Sequence, residues 1–173
     1  DELEGRFPSG KANLCTNTLT YSGLLAAAAL EDEIGDSELA ETYRTRAAEL
    51  KEAIDKYFAK ELHGMDTYGY YEGCDVLRSW ICMPLCAGLT NRKEGTAAAL
   101  TSSYLFRPEG MLTTEENNTI WDRSTLYALR GLYIAGSGDK ASECLHIYSE
   151  NRLLGERAPY PVEAYPEGGR RHL

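Results

Sequence analysis

Apolar and polar positions along the chain follow two alternating helical patterns. In "TYSGLLAAAALEDEI", residues 20–34, apolar side chains run nearly all round the helical circumference, and Gly35 follows as a left-handed cap. With Asp36 or Ser37 as N-cap, the next helix extends to about residue 58. It carries one apolar stripe, Leu39, Tyr43, Ala47, Leu50, Ile54 and Tyr57, opposite a charged face. The first helix is therefore expected to be buried on both sides and the second on one. The contrast recurs twice. "VLRSWICMPLCAGL", residues 76–89, is apolar around most of its circumference, with Pro84 predicting a kink, and a shorter polar-faced helix follows over 92–102. "STLYALRGLYIAG", 124–136, is again mostly apolar, and 140–154 is amphipathic, with Ala141, Cys144, Leu145 and Tyr148 on one stripe.

Three helical hairpins thus start near residues 16, 76 and 123, a period of about 50 residues. An all-α toroid of hairpins accommodates this pattern, apolar helices lining an inner ring and amphipathic helices shielding them from water. Three hairpins do not close such a ring, and the inner helices of a half-ring keep open apolar sides. With Asp1 rather than Met at the start and GGRRHL at the end, residues 1–173 are expected to be part of a larger domain, truncated at both ends. The remainder of the same polypeptide would close the ring.

Links within each hairpin are short, whereas the links returning to the next inner helix are long: 61–75, 105–123 and the stretch from 155. In an antiparallel arrangement they all emerge at one end. Long structureless links in a compact protein carry function more often than not, and these are too aromatic for disorder. They offer Asp66, Tyr68, Tyr70, Tyr71, Glu72 and Asp75, then Glu115, Glu116, Trp121 and Asp122, then Tyr160, Glu163, Tyr165 and Glu167. Flat rings pack on the C–H face of a sugar and carboxylates accept its hydroxyl hydrogens, so the chemistry points to a carbohydrate. Paired carboxylates with pKa values pushed apart can also cleave a glycosidic bond.

Simpler roles compete at several of these positions. Trp121 also fits a packing anchor, Asp122 with Ser124 an N-terminal cap, and Glu115-Glu116 a solvated surface. Tyr70 and Tyr71 cannot both face a cleft if the chain is extended there. Glu163, between Pro161 and Pro166, sits on a stiff backbone.

Charge and cysteine usage narrow the partners. The formal net charge is −9, from 18 basic and 27 acidic residues, with no basic run beyond Arg170-Arg171, which argues against nucleic acid. No stretch approaches the ~20 apolar residues of a membrane helix, so no membrane is expected as partner. Five cysteines without a CxxC pair read as free thiols. Cys82 and Cys86, one helical turn apart, have no nearby His to complete a zinc site. Neither a metal nor another cofactor is expected. Free thiols favour a reducing compartment, with the cytoplasm and the periplasm both open.

Four stretches, "ANLCTNTLTYSGLLAAAAL", "AAELKEAIDKYFAKELHGMDTYGYY", "TIWDRSTLYALRGLYIAG" and "YPVEAYPEGG", occur in an order and spacing that resembles the six-hairpin (α/α)6-toroid glycoside hydrolases. The trehalase and glucosidase branch is most similar, rhamnosidase-like enzymes more loosely so. The resemblance implies about three of six hairpins, in the C-terminal portion of the catalytic domain. It implies an inverting hydrolase in which Glu163, of "VEAYPEG", is the general base that activates water. It also implies that Trp121 and Asp122 belong to the substrate pocket, with Asn17 or Asn13 at the mouth of the first inner helix. Tyr71, Glu72 and Tyr165 complete the expected sugar contacts. The family's general acid is an Asp in an upstream hairpin with no match in this chain; Asp75 and Asp122 are weak substitutes.

Other readings compete. A sugar epimerase on the same toroid needs histidines, of which the chain has His63, His146 and His172, and a phosphorylase would replace water by phosphate. A non-catalytic helical-repeat scaffold explains paired helices but not long aromatic return links.

Overall fold

The computed structural model describes residues 10–154 and the backbone of a short strand at 164–165. The fold is mostly helical. Helices α1 (Leu14–Ile34) and α2 (Ser37–Phe58) form the first hairpin, α3 (Cys82–Cys86) and α4 (Lys93–Thr101) the second, and α5 (Asp122–Ile134) and α6 (Gly138–Tyr148) the third. Helix α3 packs on both α1 and α5, and each of α1, α3 and α5 packs on its own partner α2, α4 or α6. The expected succession of three helix pairs is thus present among the described residues. Among the described residues no helix is long and apolar enough to cross a membrane.

Local chemistry explains the helix ends. The Asn13 side chain accepts from the Thr16 N–H at 2.8 Å and starts α1 six residues earlier than its apolar pattern does. Gly35, at φ 91°, returns its N–H to Glu31 and Asp32, and Asp36 accepts from the Leu39 N–H at 3.0 Å to start α2. An Asn13→Ala substitution is expected to cost about 1 kcal/mol through loss of the cap. Chemical denaturation reads this directly.

Burial of α1 differs from expectation. Its buried residues are Leu14, Cys15, Thr18 and Ala28, while Leu19, Leu25, Leu30 and Ile34 are exposed. On α5, Leu126, Tyr133 and Ile134 are exposed as well. One side of α1 packs on α2 and α3, and no described element covers the other.

The single helix predicted over 76–89 is corrected. Arg78 is extended (φ −126°, ψ 143°) and bridges Thr114, Ser79–Ile81 is one 3₁₀ turn, and only Cys82–Cys86 is α-helical. Pro84 accounts for the break: it sits in the first turn, where its missing N–H costs nothing, and its ring would meet the Trp80 carbonyl of a helix continued backwards. Pro84 therefore opens a helix instead of kinking one.

The return links, expected to lack secondary structure, contain small antiparallel sheets. Strand β1 (Ala59–Leu62) pairs β2 (Met65–Tyr68) through a tight turn at His63-Gly64, both at positive φ (51° and 74°). β3 (Phe106–Arg107) pairs β4 (Gly110–Met111), and β5 (Ile120–Trp121) pairs β6 (Ala164–Tyr165). The first hairpin lies on α4. Thr67 and Thr96 share a buried hydroxyl hydrogen bond at 2.9 Å, and Arg92 pairs with Asp55 on α2 and Asp66 on β2.

That contact requires glycine at position 95, because a Cβ there would lie 2.0 Å from the Asp66 carbonyl oxygen and 2.8 Å from the Asp66 nitrogen. Backbone cannot rotate aside as a side chain can. Gly95→Ala is expected to separate α4 from β2 at a cost of about 1–3 kcal/mol, seen as a lower denaturation midpoint.

All five cysteines are free thiols. Burial pushes the Cys82 thiol up, whereas its hydrogen bond to Cys86 holds Cys86 low.

Candidate carbohydrate site

Backbone pairing gathers the chain entry and all three return links at one end of the hairpins. Asn13 bridges Tyr71, and the Leu14 N–H donates to the Tyr70 carbonyl at 2.8 Å. Arg78 bridges Thr114, Leu112 bridges Ile120, and Trp121 lies opposite Ala164 in the β5–β6 pair. Each link therefore holds the next.

Aromatic and cationic side chains cluster on this framework. Tyr70 is fully buried and Tyr71 half-buried, consistent with the two rings being unable to share one cleft. The Arg78 guanidinium lies 5.1 Å from the Tyr70 ring and 5.5 Å from the Tyr71 ring. Arg123 does the same for Trp121 and Trp80, at 5.3 and 5.9 Å, and Tyr127 tilts against Trp80 with centroids 5.9 Å apart. Trp121, 7% exposed, is mainly a packed residue, which agrees with its simpler reading as an anchor.

Asp122 does not cap α5. Helix α5 has no side-chain cap; Ser124 and Thr125 each donate to the Trp121 carbonyl, at 3.1 and 2.9 Å. The Asp122 carboxylate accepts from the Tyr148 hydroxyl at 2.9 Å and from Arg152 Nε at 3.0 Å, in a pair whose side chains are 13% and 6% exposed. A π-helical turn, Ser149–Leu153, carries Arg152 back from α6. Burial first, then the Asp122 carboxylate, pushes the Tyr148 phenol above its ordinary range.

Glu115, read as solvated, is instead a staple between links: its carboxylate accepts from the Leu77 N–H and faces His63 Nε2, both at 2.7 Å. The His63 ring stacks on Tyr104 at 3.8 Å. A lone Glu-Glu pair gives no sign of partners 38 and 52 residues away.

Asn17 lies in the first turn of α1, donating to the Asn13 carbonyl at 2.8 Å, and so is beside the Tyr71 bridge. Glu72 is exposed and accepts from the Tyr57 hydroxyl at 3.1 Å, at the end of α2. Glu163 lies outside the described residues, as does the Tyr165 side chain. Arg78, Trp80, Arg123 and Tyr127 were not singled out by sequence; only the Trp-Asp-Arg run at 121–123 carried a local signal for one of them. Among the described residues no group of three or more His, Cys, Asp or Glu could hold a metal ion.

The molecule thus belongs to the class of mostly helical folds built from paired helices with small antiparallel sheets, and carries a loop-borne aromatic cluster. No family model matches the chain, and no curated protein does. Among solved structures it is similar to a sialidase, with a TM-score of 0.71 at 16% identity over 88% of this chain. The matched region spans 17% of that structure's length. Identity this low speaks for a shared fold.

Proposed function

We propose that the chain is part of a glycoside hydrolase in which Glu163 is the general base of an inverting, two-carboxylate reaction. One observation carries the reading: Trp121 pairs with Ala164, the residue after Glu163. Tyr71, Asn17 and the Arg78 and Arg123 guanidinium groups border the same framework and supply the stacking and hydrogen-bonding chemistry that a sugar requires. The resemblance to a sialidase fold, itself a glycosidase by name, supports the same class.

In the proposed reaction Glu163 takes a proton from water as the oxygen attacks the anomeric carbon. A second carboxylic acid, supplied by sequence outside this chain, protonates the departing glycosidic oxygen. The two carboxyl groups need a separation of roughly 6.5–9.5 Å to admit the water. Asp122, already committed to Arg152 and Tyr148, is a poor choice for that acid.

The deciding experiment is sugar release from a panel of aryl glycosides and disaccharides by the full-length protein, with the product anomer read by NMR. Release with inverted configuration is the expected result. Release that depends on added phosphate would replace the hydrolase by a phosphorylase, and no release from any member of the panel would remove the catalytic reading.

A further inference from the structure

The geometry points to Arg123 as the receptor for a carboxylate on the sugar, so that the site takes an acidic glycoside, a uronic or sialic acid. This rests on the carbohydrate reading above and adds the class of sugar. Arg123 follows the β5–β6 pair directly, and its guanidinium is held over two indoles, Trp121 at 5.3 Å and Trp80 at 5.9 Å. The residue is exposed. Three other arginines of the described fold have acidic partners: Arg44 pairs with Asp32 and Glu41, Arg92 with Asp55 and Asp66, and Arg152 with Asp122; what sets Arg123 apart is its place over two indoles.

Arg123 has none among the described residues, in a chain where 27 acidic residues outnumber 18 basic ones. Nor does it donate to a described carbonyl, as Arg107 does to Phe106 and Ser103. Two ring faces hold the cation in place and leave its N–H edge unused, and a planar fork of donors matches a carboxylate. The buried Trp80 indole N–H is likewise without an acceptor among the described residues. Among the described residues donors around these two rings exceed acceptors, and an anion would match them. Neutral hydroxyls would satisfy the geometry but not the charge.

The test measures binding of D-glucuronate, D-galacturonate and N-acetylneuraminate by the full-length protein, each beside its uncharged amide. Wild type, Arg123→Gln and Arg123→Lys are compared at low and physiological salt. At least one acid is expected to bind roughly tenfold or more tightly than its amide, the scale of one charge-assisted hydrogen bond. Arg123→Gln should erase that preference, so that acid and amide bind alike, and Arg123→Lys should keep part of it. The identity of the preferred acid separates the uronic from the sialic class.

Equal affinity for acid and amide in wild type, or a preference that survives in Arg123→Gln, overturns the inference and leaves the carbohydrate reading intact. Failure of every acid and amide to bind overturns the inference, while the carbohydrate reading is decided by the aryl glycoside and disaccharide panel. Melting curves of both variants guard against misfolding, since neither Gln nor Lys reproduces the stacking of the guanidinium on Trp80 and Trp121.

Discussion

Replacing Glu163 by Gln is expected to lower kcat by about 10²–10⁴-fold, the share general-base catalysis supplies, while sugar affinity changes little. An amide has the carboxylate's shape and can still hydrogen-bond a water, but it cannot accept the proton that the attacking oxygen must shed. Loss confined to kcat identifies a group acting in the transition state, whereas a rise in KM alone would make Glu163 a ground-state contact. A second variant separates base from scaffold. In Glu163→Ala, azide should restore turnover and yield the inverted glycosyl azide, because an anion attacks without giving up a proton. If neither variant lowers turnover, Glu163 is not the base.

The helical plan was legible because its signals are local. Gly35 and Asp36 mark a helix end and the next start through their own backbone and side-chain bonds, and the apolar stripe of α2 gives the burial of Ala47 and Ile54, whereas Tyr57 on the stripe is exposed and its neighbour Phe58 is buried instead. What escaped depends on distant partners or on very short elements. Residues 76–89 carry an apolar run that a buried extended segment and a buried helix share, and the bridge of Arg78 to Thr114 decides between them. The β1–β2 hairpin has strands of four residues and turns on His63-Gly64, a weaker signal than Asn-Gly. In the candidate site, Tyr71 from its aromatic link and Asn17 from the family resemblance lie beside the same Asn13–Tyr71 bridge. The guanidinium groups over Tyr70, Tyr71, Trp80 and Trp121 were missed because stacking of a cation on a ring leaves no spacing rule.

Asp122 shows how far a residue's role turns on such a partner. Asp122→Asn is expected to destabilise the fold by about 3–5 kcal/mol, lowering the melting temperature by on the order of 10 °C. The substitution withdraws an anion from Arg152, whose side chain is 6% exposed and cannot be rehydrated without opening the π-turn after α6. Arg152→Met in the same background should recover part of the loss, since it removes the buried cation from which the first substitution withdrew an anion. Alkaline titration gives an independent reading. Because the Tyr148 phenol is raised above its ordinary 10.0, the folded state holds its proton more tightly than the unfolded chain does. That stability is fully present below pH 10 and declines as pH rises beyond it. In Asp122→Asn the decline should be shallower yet still present, because burial, the larger cause, persists. If Asp122 instead held a sugar hydroxyl as its main task, Asp122→Asn would lose affinity at unchanged melting temperature, and Arg152→Met would rescue nothing.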